Sequence, residues 1–222
     1  YLNTNKLTKK FKKKQNFVVA ELGFGTGLNF LLTWKLWKEN RKSNASLTYI
    51  SFENAPLSKK EISRVYKKIK ELDQYSNFLL KKIPERYQST HRIEINSENV
   101  NLILIYDDIT SLTNFNFKAD TWFLDGFSPK NNALAWTDKL FRQIYKFTNF
   151  DGSLSTFSVA GHVRRGLLKA GFQVSKVSGC GNKKEISYAV KKNQENSKVL
   201  KVNFHDNIGP VAIIGSGISG AS

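Results

Sequence analysis

The chain is poor in the residue types that build covalent cross-links, metal centres and membrane spans. Its 222 residues include one cysteine, Cys180, which excludes an internal disulfide and a cysteine metal cluster. The three histidines are scattered without metal-ligand spacing, and we predict no metal site. No apolar run approaches the roughly 20 residues of a membrane helix, and no apolar stretch of a signal peptide follows the lysine-rich start. We expect a protein of the reducing cytoplasm without membrane contact.

Methionine is absent from the sequence, and the first residue is Tyr1. Because translation starts with methionine, we expect the natural N-terminus to lie upstream of this residue. The chain ends at Ser222 inside a glycine-rich pattern. We therefore expect a fragment of a longer protein.

Positive charge is the strongest compositional feature. Thirty-five Lys and Arg stand against eighteen Asp and Glu, a formal net charge of +17. Basic side chains that neutralise phosphates release counterions, so this charge favours a polyanionic partner such as RNA. Lysine outnumbers arginine, however, and arginine is the better bidentate phosphate ligand. We interpret the run from Lys6 to Lys14 as solvated surface.

Short β-rich runs alternate with helical patterns, which indicates an α/β fold with a mostly parallel sheet and a C-terminal antiparallel hairpin. The predicted strands are 17–22, 47–53, 92–95, 100–106, 121–124, 153–157, 172–177 and 186–190. The predicted helices are 28–37, 58–72, 133–147 and 162–170. Apolar spacing predicts the buried face of the first helix as Leu28, Leu31, Leu32 and Leu36. The same spacing predicts the buried face of the second helix as Ile62, Val65, Tyr66, Ile69 and Leu72.

A glycine-rich turn follows the first strand. Residues 21–27 read E-L-G-F-G-T-G, so Glu21 precedes Gly23, Gly25 and Gly27. Glycines here let the backbone turn tightly and approach a ligand at the start of a helix. A dinucleotide fingerprint would need glycine in place of Leu28 or Phe30. The spacing is instead that of S-adenosylmethionine (SAM) methyltransferases.

Further side chains are predicted to complete the cofactor site. We assign Asn29 to it because it lies just beyond the glycine turn. Glu53 ends the second strand, where a carboxylate accepts hydrogen bonds from the ribose hydroxyls of an adenosine-bearing ligand. Asp108 ends a later strand and is predicted to accept from the adenine amino group, with Asp107 as an alternative.

Asp125 and Phe127 are the predicted catalytic residues. They follow the strand 121–124, and ligands of such sheets bind beyond the carboxyl ends of the strands. Methylation of an amine needs a free lone pair on nitrogen, and a carboxylate can accept the N–H bonds and take the proton. An aromatic ring can stack on a flipped base. The alternative interpretation is a helix-capping Asp125 and a core Phe127.

Two basic pairs are candidate RNA contacts. Arg164 and Arg165 start the last predicted helix, where the helix dipole disfavours positive charge. RNA phosphate would hold them there, and an exposed solvated pair is the alternative. Lys183 and Lys184 lie in a glycine-containing basic loop that is predicted to flank the same site.

Together these residues resemble the MnmC family, the bifunctional tRNA enzymes that make 5-methylaminomethyl-2-thiouridine. The resemblance is carried by residues 17–33 (FVVAELGFGTGLNFLLT), 50–57, 122–136 and 160–185. It implies a Rossmann-like methyltransferase fold, SAM as methyl donor, tRNA as partner and a monomeric protein. The implied reaction is methylation of the aminomethyl group on the wobble uridine.

The resemblance also implies a second, FAD-dependent oxidoreductase half that removes a carboxymethyl group first. Residues 211–220 (VAIIGSGISG) read as a strand followed by G-x-G-x-x-G, as a dinucleotide site requires. We predict a methyltransferase domain at 1–190, a linker at 191–209 and the start of the FAD domain at 210–222. FAD binding is expected only of the full-length protein.

Two rival functions remain open at this point. A flavin or nicotinamide oxidoreductase is disfavoured in the main domain by Leu28 and Phe30. A basic RNA-binding module with a decayed methyltransferase site is allowed by the loop after Lys130, which departs from the pattern of the family. SAM binding distinguishes the module from the enzyme.

Overall fold

The computed structural model describes residues 1–125, 136–178 and 185–192, and their strands form one eight-stranded sheet. The strands are β1 (Asn16–Leu22), β2 (Ser46–Phe52), β3 (Ser89–Ile95), β4 (Val100–Tyr106), β5 (Ala119–Leu124), β6 (Thr148–Thr156), β7 (Gln173–Ser178) and β8 (Glu185–Val190). The α-helices are α1 (Leu7–Phe11), α2 (Leu28–Asn40), α3 (Lys59–Tyr66), α4 (Asp73–Lys82), α5 (Asp138–Lys146) and α6 (Gly161–Lys169).

The strand order is β3-β4-β2-β1-β5-β6-β8-β7. The five central strands, from β4 to β6, pair in parallel, whereas β3, β8 and β7 pair antiparallel with their neighbours. The predicted mostly parallel sheet with a C-terminal antiparallel hairpin is confirmed. The chain leaves β1 towards β2 on one side, and β5 lies on the other, so the edge beyond β1 is a topological switch point.

The central strands are buried on both faces, which explains their nearly continuous apolar sequences. Along β1, Val19 contributes to one core cluster and Ala20 to the cluster on the opposite face. Aromatic side chains fill both layers: Trp37 is fully buried in the first and Trp122 in the second. Two apolar layers around one sheet leave the strand ends as the place where polar side chains meet.

The predicted face of α2 is wrong for Leu28 and Leu32, whereas Leu31 is fully buried and Leu36 packs partly buried against the core. Leu28 and Leu32 are each 36% exposed, whereas the helix buries its aromatic side chains against the sheet. The residues buried on α2 are Phe30, Leu31, Thr33, Trp34 and Trp37. Phenylalanine and tryptophan remove more apolar area from water than leucine, so their positions determine the helix orientation.

The second predicted helix is shorter than its sequence pattern. α3 begins after Ser58, whose side chain forms a capping box with Glu61, and it ends at Tyr66. Val65 is exposed, which corrects its predicted burial. A separate helix, α4, follows and was not predicted, although Tyr75, Phe78 and Leu79 lie at helical spacing within it.

The third predicted helix begins later than its sequence pattern, and the strand after it begins earlier. α5 starts at Asp138 because the Thr137 hydroxyl accepts a hydrogen bond from the Leu140 N–H and caps the helix. Residues 133–135 lie outside the described part of the chain. β6 begins at Thr148 rather than at residue 153.

The N-terminal lysine run is not all solvated: the interpretation as surface is wrong for Lys10, whereas Lys14 remains exposed. Lys10 donates hydrogen bonds to the hydroxyls of Thr121 (3.2 Å) and Ser153 (2.6 Å) across β5 and β6. Lys14 forms an ion pair with the buried Asp120. Burial lowers the pKa of Lys10 to about 8. The segment containing α1 therefore packs on the sheet, with Leu7 and Phe11 fully buried.

Candidate active site

The glycine turn leads from β1 to α2 and has a left-handed backbone. Gly25 has a φ of 52° and Gly27 a φ of 80°. A residue with a side chain would be strained in this left-handed conformation. A Cβ on Gly25 would meet nothing within 4 Å, so this residue borders open space. A Cβ on Gly27 would lie 2.7 Å from the Phe24 ring and 2.9 Å from Leu79. Gly27 is thus required by packing, and Gly25 leaves room for a ligand.

Glu53 joins the end of β2 to the glycine turn. Its Oε2 accepts a hydrogen bond from the Gly25 N–H (3.0 Å), and its Oε1 accepts one from the Ala55 N–H (2.8 Å). The residue is only 7% exposed but lines the cleft. Two backbone donors therefore orient this carboxylate, and each oxygen retains acceptor capacity for a ligand hydroxyl.

Glu21 lies beneath the cleft and is fully buried. Its two oxygens accept hydrogen bonds from the Asn29 amide (2.9 Å) and from the Ser51 hydroxyl (2.9 Å). Burial raises the pKa of Glu21 to about 8, although the bonds from Asn29 and Ser51 act in the opposite direction. The described contacts of Glu21 are thus with the polar side chains under the cleft.

Asn29 connects two carboxylates at the base of the cleft. Its amide nitrogen donates to Oε1 of Glu21 and to Oδ2 of Asp125, both at 2.9 Å. The other oxygen of Asp125 accepts from the Tyr1 hydroxyl at 2.9 Å. The backbone N–H of Asp125 donates to the Leu22 carbonyl, which fixes the end of β5 beside β1.

One open cleft of about 350 Å³ at the carboxyl edge of β1, β2 and β5 brings together five of the predicted cofactor-binding and catalytic residues. It is lined by Gly23, Phe24, Gly25, Thr26, Leu28, Asn29, Glu53 and Asp125. This volume lies in the ordinary range of small-molecule sites. The open side of Gly25 opposite an oriented Glu53 carboxylate fits a ligand that carries a sugar diol, such as SAM.

Asp107 and Asp108 are engaged in local turns. Asp108 caps the short 3₁₀ turn Ile109–Asn114, and its Oδ1 accepts from the Thr110 N–H at 2.9 Å. Asp107 accepts from the Gln88 side chain at 2.8 Å. Neither borders the cleft, and the assignment of Asp108 to the adenine group stays a prediction.

The two arginines of α6 differ in their surroundings. Arg165 is exposed and lies over Gly161, with Nη1 2.9 Å from the position of an added Cβ there. Arg164 is partly buried, and its Nε has no hydrogen-bond partner in the described part of the chain. The predicted residues Phe127, Lys183 and Lys184 lie outside the described residues.

Tyr1 is the site residue that sequence reasoning missed. Its hydroxyl reaches Asp125 although the two residues are 124 positions apart. No local pattern in the sequence marks Tyr1, since the contact depends on how the N-terminal segment crosses the sheet.

Residues 1–125, 136–178 and 185–192 show no candidate metal site and no membrane-spanning helix. Nowhere in these ranges do three or more His, Cys, Asp or Glu side chains come together in a way that could hold a metal ion. None of the helices there has the length and hydropathy needed to cross a bilayer.

A profile of one S-adenosyl-L-methionine-dependent methyltransferase family matches residues 70–192, more than half of the chain. The chain belongs to this family. The predicted methyltransferase fold is thereby confirmed, and SAM is the methyl donor that the family name specifies.

Similar curated proteins bear the name that the sequence motifs suggested. The tRNA 5-methylaminomethyl-2-thiouridine biosynthesis bifunctional protein MnmC of Hahella chejuensis is 35% identical over 226 residues, covering 100% of this chain and 36% of the relative. The protein of the same name from Maricaulis maris is 35% identical over 210 residues, covering 94% of this chain and 35% of the relative. The chain therefore spans about a third of the length of these relatives, and the resemblance to MnmC proteins is confirmed.

A solved structure agrees with the fold. The crystal structure of MNMC2 from Aquifex aeolicus matches with a TM-score of 0.68 and 25% sequence identity. The match covers 86% of this chain and 58% of that chain.

Proposed function

We propose that this chain transfers a methyl group from SAM to the amine of 5-aminomethyl-(2-thio)uridine at the wobble position of tRNA. The product is 5-methylaminomethyl-(2-thio)uridine. The names of the relatives support the substrate, and the family supports the methyl donor. The net charge of +17 suits a polyanionic partner.

One observation carries the proposal: Asp125 borders the same cleft as the glycine turn and Glu53. Glu53 is oriented by two backbone N–H groups and has acceptor capacity for ribose hydroxyls. Asp125 is exposed and lines the same cleft, where it can receive an amine. One cleft therefore holds a carboxylate suited to the nucleoside and a carboxylate suited to the amine.

The chain contributes orientation and proton acceptance. When bound, SAM supplies an electrophilic methyl group whose bonding electron pair stays with sulfur. Asp125 accepts N–H bonds from the neutral amine, whose lone pair forms the new N–C bond, and it then takes a proton from the resulting ammonium. Holding the amine in place contributes much of the rate, because positioned reactants avoid the entropy cost of encounter. Phe127 is proposed to stack on the flipped uracil.

In the full-length protein we propose that an FAD-dependent oxidoreductase part supplies the amine. The relatives are named bifunctional, and this chain covers about a third of their length. Residues 211–220 carry the glycine pattern of a dinucleotide site. They lie outside the described residues, and their assignment rests on sequence alone.

The test is transfer of labelled methyl from SAM to two tRNA preparations. One carries aminomethyluridine at the wobble position, and the other carries unmodified uridine. We expect label only on the first. Equal labelling of both would move the target away from the wobble amine. No labelling with SAM bound would contradict the proposed substrate.

The rival function of an RNA-binding module with a decayed site predicts no SAM binding. The cleft argues against it, since the glycine turn, Glu53 and Asp125 are all in place. Isothermal titration with SAM separates the two functions. We expect a micromolar dissociation constant, and an absence of binding would favour the module.

A further inference from the structure

The carboxylate that we place at the amine is held by a side chain from the far end of the sequence. The Tyr1 hydroxyl donates to Oδ1 of Asp125 at 2.9 Å, and the Asn29 amide donates to Oδ2 at 2.9 Å. One donor on each oxygen prevents the carboxyl group from rotating about its Cβ–Cγ bond. The carboxylate plane is thus defined before a substrate binds.

The Tyr1 ring is itself fixed by aromatic neighbours. It stacks on Phe123 of β5 with ring centroids 5.3 Å apart and contacts the Phe157 ring at 4.5 Å. Burial and the neighbouring Asp125 raise the pKa of Tyr1 above its usual value, with a smaller opposing effect from the backbone of Phe157. The hydroxyl therefore remains a proton donor throughout the working pH range, and a rigid ring holds it in place.

The remaining acceptor capacity of Asp125 matches a primary amine. An ionised carboxylate has about four lone-pair positions, and Tyr1 and Asn29 use one on each oxygen. One position on each oxygen is left, and Asp125 borders the cleft. A neutral primary amine has two N–H groups to donate, so both can be received while its lone pair points away from the carboxylate.

We propose that Tyr1 is a positioning residue of the methyltransferase site: it orients Asp125 so that the carboxylate presents one free acceptor position per oxygen to a primary amine. This inference rests on the proposed function and adds a residue to it. Tyr1 acts through Asp125, and no contact of its own with the amine is required.

Tyr1→Phe removes the hydroxyl that donates to Oδ1 of Asp125 and leaves the Asn29 amide as the side-chain donor to the carboxylate among the described residues. The carboxyl group can then rotate about its Cβ–Cγ bond, so it receives the amine in a productive orientation less often. Turnover should fall, whereas SAM binding should not change, because Glu53 and the glycine turn are untouched.

The experiment compares Tyr1→Phe, which keeps the ring packing, with the unaltered chain. Methyl transfer to aminomethyluridine tRNA is measured for both chains, each with and without Asp125→Asn. We expect Tyr1→Phe to lower kcat about 10-fold, since a hydrogen bond to a charged group has roughly that effect. The affinity for SAM should not change, and Tyr1→Phe should cause no further loss of kcat once Asp125 is replaced.

Tyr87→Phe is the matched control, because this tyrosine is 59% exposed and packs on His91. It should leave kcat and the affinity for SAM unchanged. A Tyr1→Phe chain with normal kcat, or one whose loss of kcat persists in full beside Asp125→Asn, would overturn the positioning role alone. Failure of the unaltered chain to methylate the tRNA would overturn the proposed function, and the inference with it.

Discussion

The backbone N–H of Gly25 donates a 3.0 Å hydrogen bond to Oε2 of Glu53, a residue 28 positions further along the chain. This contact ties the glycine turn after β1 to the end of β2. Parallel neighbours end at the same edge of a sheet, so one contact brings together the two features that define the proposed cofactor site. The cleft depends on this link and on the matching position of Asp125 at the end of β5.

Substitution of Gly25 tests where the ligand lies. Gly25→Leu places a side chain in open space next to Glu53, and SAM binding should be lost. Strain from the φ of 52° should cost about 1–2 kcal/mol of stability without unfolding the protein. Titration calorimetry and thermal melts measure the two effects.

Gly27→Ala is the control for that experiment. Its Cβ would collide with Phe24 and Leu79 inside the core, so the melting temperature should fall. Unchanged SAM affinity in Gly25→Leu would place the cofactor elsewhere.

Asp125→Asn tests the division of roles within the cleft. The amide cannot take a proton from the amine, and kcat should fall by about 10²- to 10⁴-fold. The SAM dissociation constant should stay nearly the same, because Glu53 and the glycine turn are untouched. Steady-state kinetics with calorimetry measures both, and an equal loss of binding and turnover would assign Asp125 to the cofactor.

The pH dependence of stability should report Glu21. Its folded pKa of about 8 lies above the unfolded value, so the folded state holds the extra proton between about pH 4.5 and 8. As pH rises through this window, the ionisation of Glu21 lowers the free energy of unfolding by up to about 1.4 kcal/mol per pH unit. Glu21→Gln, which keeps an acceptor for Asn29, should flatten this slope in urea titrations at pH 5.5 and 8.5. An unchanged slope would mean that Glu21 is ionised throughout.

Arg165 is the better candidate for an RNA phosphate contact on α6, because it is exposed and Arg164 is partly buried. Arg165→Gln should weaken tRNA binding and reduce the salt slope by about 1. Arg92→Gln is the control, because Arg92 is a basic residue on β3, at the opposite edge of the sheet. The tRNA dissociation constant is measured at several salt concentrations for both variants. Equal effects of the two substitutions would mean that Arg165 contributes only to the general positive charge of the protein.

The agreement between sequence and structure is best where the signal is local. Ser58 and Glu61 are three residues apart and form the capping box that starts α3. The glycine spacing after β1 indicated the SAM-type turn for the same reason, since neighbouring residues alone determine the path of a turn. The boundaries of α5 and β6 were less accurate, because cap residues such as Thr137 compete with apolar periodicity.

By itself, the sequence determined the parallel sheet, the glycine turn and the residue types available at the strand ends. Continuous apolar runs can be buried only between two layers, and short-range patterns specify turns. Only the tertiary structure decided that Tyr1 reaches Asp125, that Lys10 bonds across β5 and β6, and that α2 faces the sheet with its aromatic residues. These outcomes depend on which distant segments share the same space, and that is a property of the whole packed chain rather than of any window along it.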